Sequence, residues 1–171
     1  MLGIYTFLLV LNSLIYDLDH TDGPALHFSL THGNGSDIFI PVRLKGIMIN
    51  AVIIGIGGFF GAIARYGVGL WIGQRWGRSF PLGTFVINVS GSFAIGLVMS
   101  LLTERFIVNP QWRLLLVVGF LGAYTTFSTF EYETGALLKD GEWMFASLNV
   151  VLSVLAGFIA LKAGEVLAKS I

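Results

Sequence analysis

The sequence contains no cysteine, which excludes disulfides, thiolate metal sites and a cysteine nucleophile, and leaves the redox compartment open. Charge is scarce. Only 12% of the 171 residues are charged, the formal net charge is zero, and no basic run is present. Nucleic acid is therefore not an expected partner, because such ligands are held by clustered cations. Histidine occurs three times, as His20, His27 and His32, all ahead of the long apolar runs. Their spacing fits no metal-ligand pattern, and they read as solvated polar residues. No HExxH is present, no histidine falls in an apolar run, and no acid pair is placed for hydrolysis. An enzyme is not expected.

What the chain has in abundance is apolar surface, with 55% hydrophobic residues and a mean hydropathy of +0.81. A soluble domain of this size cannot hide so much, so a bilayer is the natural solvent. Four apolar segments follow one another at residues 47–72, 82–102, 112–138 and 143–167, each long enough to span as a helix. The linkers suit that division. Pro81 opens the second segment, Asn109–Pro110 marks a turn, and "KDGE" makes a tight one. Trp71, Trp76, Trp112 and Trp143 fall at predicted ends, where an indole keeps one edge among headgroups. The 22 glycines suit helices that approach closely in a membrane.

The first 46 residues differ. "MLGIYTFLLVLNSLIY" is short for a span and lacks the positive start of a secretory signal, and a polar, turn-rich stretch follows it. The functional protein is expected to begin near Met48, with the preceding residues an upstream translation or a dispensable, poorly patterned extension. Orientation is nearly balanced from there on. Arg105, Arg113, Lys162 and Lys169 share one side, against Arg75, Arg78 and Lys139 on the other. So weak a bias permits insertion both ways and antiparallel self-pairing; Arg43 and Lys45, if retained, tilt it.

Polar residues form stripes inside the apolar segments. Thr84, Asn88, Ser92 and Gly96 recur every four residues in the second, and Asn149, Ser153 and Gly157 do so in the fourth. Helix packing and a polar pathway both account for such stripes. Gly57 and Gly61 give the first segment a small-residue packing face. Arg65 lies well inside that segment, where it either snorkels to the interface or stands as a fixed charge at the mouth of an anion route. The third segment contains "GFLGAYTTFSTF", whose glycines and threonines predict a break in the helix. Such a break frees carbonyls able to hold a cation and hydroxyl or amide hydrogens able to hold a small anion. Phe127 and Phe130, three apart, share a face, and their positive ring edges can line an anion path without a trapping charge.

"GGFFGAIARY", "GTFVINVSGSFAIG" and "GFLGAYTTFSTFEYE" resemble, in order and spacing, the three signature stretches of the Fluc fluoride channels, also called the CrcB family. The resemblance covers residues 48–171. It implies an all-α integral membrane protein of four transmembrane helices, the third broken mid-membrane, paired as a dual-topology antiparallel homodimer. It further implies passive, fluoride-selective export across the cell membrane, which lowers fluoride toxicity. The cofactor it implies is a structural sodium ion at the dimer centre, held by the main-chain carbonyls of Gly122 and Thr125. By position, Asn88, Phe127, Phe130, Ser128, Thr129, Ser153 and Arg65 would line the fluoride pathway, with Asn149 and Glu133 as further candidates. The chain departs from the family pattern at Asn149, where many members carry tyrosine, and at Glu131, where a small hydroxyl residue is common.

Two other classes compete with a channel. A small dual-topology multidrug exporter needs a membrane-embedded carboxylate, and the first segment has none. A non-conducting scaffold subunit would use the stripes for packing alone.

Overall fold

The computed structural model describes residues 25–31, 37–76, 80–105 and 109–171. Four helices are long and apolar enough to cross a membrane: Gly46–Arg75, Leu82–Thr103, Gln111–Lys139 and Trp143–Ser170. Their ends fall within three residues of those read from hydropathy. Trp71, Trp76, Trp112 and Trp143 are exposed at or near those ends. Trp71 and Trp76 meet edge to face at 5.5 Å, and the Arg75 guanidinium lies 4.7 Å over the Trp71 ring. This cluster suits an interface that is apolar on one side and wet on the other.

Ahead of the helices, β1 (Ala25–Thr31) and β2 (Asp37–Arg43) form an antiparallel hairpin, in register from Ala25 opposite Arg43 to Thr31 opposite Asp37. The stretch expected to lack pattern thus carries strands. The signal was a period of two, Leu26, Phe28 and Leu30 alternating with His27, Ser29 and Thr31. The first apolar run, His20 and His32 lie outside the described residues. The chain divides into two compact units, with the boundary at Ile53–Ile54.

α1 (Leu44–Arg75) and α2 (Leu82–Ser100) are continuous, and α2 ends in a π-helical turn at Leu101–Arg105. The third span is composite. A short α3 (Gln111–Arg113) leads into a π-helical stretch at Leu114–Leu121, then α4 (Gly122–Tyr124) and α5 (Phe127–Lys139). α5 closes on Gly141, whose φ of +78° is open to glycine at no cost. The Glu142 and Gly141 amides bond back to the Leu137 and Leu138 carbonyls, so the chain reverses within "KDGE" into α6 (Trp143–Ser170).

Two seams hold the spans together, and both are backbone against backbone. Between α1 and the third span, a Cβ at Gly57 would overlap the Leu115 carbonyl, and one at Gly61 the Phe120 carbonyl. A Cβ at Gly119 would come within 2.6 Å of the Ile54 carbonyl oxygen. Between α2 and α6, Gly96 meets the Leu161 carbonyl and Gly164 the Phe93 carbonyl in the same way. Lipid tails are as apolar as leucine, so helices in a bilayer associate through close packing and hydrogen bonds rather than apolar burial. The core is accordingly small, with Ile87, Leu114, Val117 and Leu121 among its few buried members. Large side chains such as Phe59, Ile63, Val154 and Ile159 remain exposed.

Candidate functional site

Between α4 and α5 the backbone is extended, at φ −79°, ψ 156° for Thr125 and φ −150°, ψ 117° for Thr126. Side chains stabilise this conformation. In an uninterrupted helix the Thr126 N–H would donate to the Gly122 carbonyl, and the Thr129 N–H to that of Thr125. Here the Thr126 N–H donates to Asn88 Oδ1 at 2.8 Å, and Asn88 Nδ2 donates to the Thr126 carbonyl at 3.0 Å. One carboxamide from α2 satisfies both polar groups of a single peptide residue. The Thr129 N–H donates to Thr126 Oγ1 at 3.3 Å, an N-cap for α5, and the Thr126 hydroxyl donates to Thr129 Oγ1 at 2.9 Å. The Gly122 and Thr125 carbonyls thereby lose their helical donors. Gly91 makes room for the arrangement, since a Cβ there would overlap Thr125 Cγ2.

Asn88, Phe127, Phe130 and Ser153 line one cavity of about 270 Å³, together with Ser92, Thr125 and Thr126. The Phe127 and Phe130 rings lie 5.7 Å apart, tilted by 35°. Phe127 is 71% exposed, whereas Phe130 is half-buried. No formally charged residue lines this cavity. Several of its hydroxyls are engaged elsewhere: Ser92 donates to the Asn88 carbonyl, and Thr125 to that of Leu121. Asn88 spends one amide hydrogen on Thr126 and retains the other.

Behind the cavity runs a chain of hydrogen bonds. The Ser153 hydroxyl donates to Asn149 Oδ1 at 3.4 Å, Asn149 Nδ2 to Thr134 Oγ1 at 2.8 Å, and the Thr134 hydroxyl to the Phe130 carbonyl at 2.7 Å. Asn149 is 1% exposed, so its role here is to tie α6 to α5 rather than to face an open space.

Arg65 and Thr129 belong to a second cavity of about 610 Å³, with Tyr66, Gln74 and Thr84. Thr126 lines both cavities and so marks the wall between them. Ser128 and Gly122 are exposed and line neither. Glu133 is half-buried in a third cavity of about 400 Å³ beside Thr84 and Asp140, its Oε2 sheltered without a hydrogen-bond partner. Glu131 is exposed. The α2 stripe is therefore divided: Thr84 faces the second and third cavities, Asn88 and Ser92 the first, and Gly96 the α6 backbone.

Sequence reasoning gave no separate role to Thr126 or Thr134. Thr134 stands four residues after Phe130, on the helix that "KDGE" folds back beside α6, and that spacing is the signal for it.

This is a multi-pass helical membrane protein whose polar side chains converge on a small uncharged cavity beside an interrupted hydrogen-bond ladder. The chain belongs to the CrcB family: the family described as "CrcB-like protein, Camphor Resistance (CrcB)" matches residues 52–165. Among curated relatives, the fluoride-specific ion channel FluC of Solibacter usitatus (strain Ellin6076) is 52% identical over 118 residues, which is 69% of this chain and 97% of that one. The FluC of Geotalea uraniireducens (strain Rf4) is 43% identical over 124 residues, 72% of this chain and all of that one. The FluC of Chlorobaculum tepidum (strain ATCC 49652 / DSM 12025 / NBRC 103806 / TLS) is 46% identical over 123 residues, or 72% and 97%.

Proposed function

We propose that this protein is a fluoride-selective passive channel, working as a dual-topology antiparallel homodimer that exports cytoplasmic fluoride. The observation that carries the reading is the uncharged cavity in which Asn88, Phe127, Phe130 and Ser153 meet. Fluoride is small and strongly hydrated, so a route must replace its shell with close donors, yet bind weakly enough to let it leave. Phenylalanine ring edges and the remaining Asn88 amide hydrogen meet both demands without a full charge. The Arg65 cavity, separated by Thr126, is a vestibule whose cation and Thr129 hydroxyl draw the anion in. The relatives named as fluoride-specific channels, matched along nearly their whole length, support the same reading.

The implied sodium ion fits the donors present. The carbonyls of Gly122 and Thr125 are released from the helical ladder, and oxygen donors of this kind suit a hard cation. In a dimer, two copies would supply two such pairs of carbonyls, and a hard cation held by them would supply a link between the third spans. The channel domain comprises residues 47–171, and the first 46 residues take no part.

The test is fluoride efflux from liposomes containing the full chain, followed with a fluoride electrode and with chloride efflux as control. Rapid release of fluoride without chloride is the expected result. Absence of release from well-folded dimers would refute the reading and leave a scaffold.

A further inference from the structure

We propose that Thr126 is the positioning residue that couples the anion cavity to the cation-binding carbonyls, with Asn88 as its clamp; this rests on the channel reading above. Its amide and carbonyl are both held by Asn88, at 2.8 and 3.0 Å. Its hydroxyl caps the Thr129 amide and bonds the Thr129 hydroxyl. Thr126 is also buried, and it lines both the Phe127–Phe130 cavity and the Arg65 cavity.

The consequence is geometric. Each bond made to Thr126 takes a donor away from the helical ladder. With the Thr126 N–H held by Asn88, the Gly122 carbonyl has no helical donor, and with the Thr129 N–H held by Thr126 Oγ1, neither has the Thr125 carbonyl. Those are the two oxygens that would hold the cation. The same cap sets the first turn of α5, and Phe127 and Phe130 stand on that turn and the next. Loss of the Thr126 hydroxyl returns the Thr129 amide to the ladder and lets α5 extend toward α4. Cation affinity and ring placement then fail together. Asn88 accordingly has two functions: one amide hydrogen and the oxygen hold Thr126, and the second hydrogen is left for the cavity that Asn88 lines.

The experiment compares the full-length protein with Thr126→Val, which keeps shape and loses the hydroxyl, and Thr126→Ser, which restores it. Thermal unfolding of purified dimers is followed against sodium chloride, with N-methylglucamine chloride replacing sodium at constant ionic strength. Thr126→Val is expected to raise the sodium concentration for half-maximal stabilisation by about tenfold, as loss of an N-cap warrants, and to lower fluoride flux. Thr126→Ser is expected to recover both. A sodium midpoint for Thr126→Val within about twofold of the wild type, well below that cap effect, would overturn the proposal. So would a wild-type midpoint in Thr126→Val combined with lost flux, since the two sites would then be uncoupled.

Hydrogen exchange on the wild-type protein gives a second reading that needs no variant. Sodium should slow exchange in the peptide containing the Thr126 and Thr129 amides; unchanged exchange there would overturn the coupling. Failure of the channel reading itself is separate, because it shows in the wild type as absent fluoride flux.

Discussion

The two halves of the third span differ in what holds them. The first half, up to Tyr124, buries Leu114, Val117, Gly119 and Leu121 and lies against α1 through glycine. The second half, α5, has no fully buried residue and is held at its start by the Asn88 and Thr126 bonds and further on by the Asn149–Thr134 bond. A close-packed half resists change because its neighbours are backbone. A half hung on a few directional bonds can leave a ring such as that of Phe127 exposed, which a close-packed helix cannot. Close packing and directional bonding are thus divided along one span.

The sharpest way to break the comparison is to add bulk at a glycine seam. Gly119→Leu, in the packed half, drives a side chain into the Ile54 carbonyl and should cost about 3 kcal/mol or more, enough to prevent recovery of monodisperse protein. Size-exclusion chromatography reads this directly, and a normal profile would place the strength of the fold elsewhere. Next come Phe127→Ile and Phe130→Ile in the hung half. Each should lower fluoride flux by about tenfold or more, equivalent to ~1.4 kcal/mol in the barrier, while the protein stays folded. Full flux in both would remove the rings from the pathway.

A smaller effect is expected of Asn149→Ala. It leaves the Thr134 hydroxyl without its α6 donor and should cost about 1 kcal/mol in stability, read as a lowered melting temperature, with flux reduced but present. The smallest belongs to Glu131→Ser. Its side chain is exposed, so stability should stay within about 0.5 kcal/mol and flux within about twofold. A large gain in flux would show that the extra carboxylate repels the anion.

Much of this was legible beforehand. The spans followed from hydropathy, and the extended residues Thr125 and Thr126 lie within the stretch "GFLGAYTTFSTF". The π-helical stretch at Leu114–Leu121 was not legible, because an i−5 bond such as Gly122 N–H to the Val117 carbonyl leaves no mark in an apolar run. Nor was the division of the α2 stripe. Four residues at identical spacing read as one face, yet their neighbours differ: cavities at Thr84, a peptide group at Asn88, a helix backbone at Gly96. The strand at Ala25–Thr31 carries only a short alternation, with turn residues on both sides of it.

Sequence alone determined that the chain spans a membrane four times and, to within three residues, where each span ends. These are local matters: transfer of apolar side chains out of water, and the conformational preferences of glycine, proline and threonine, need no distant partner. Only the tertiary structure decided that Asn88 holds Thr126 across 38 residues of chain, that Asn149 sits behind the cavity, and that Arg65 opens on a different one. A hydrogen bond acts within about 3 Å. Which donor reaches which acceptor depends on how closely the glycine seams bring the helices together, and that distance is a property of the packed fold.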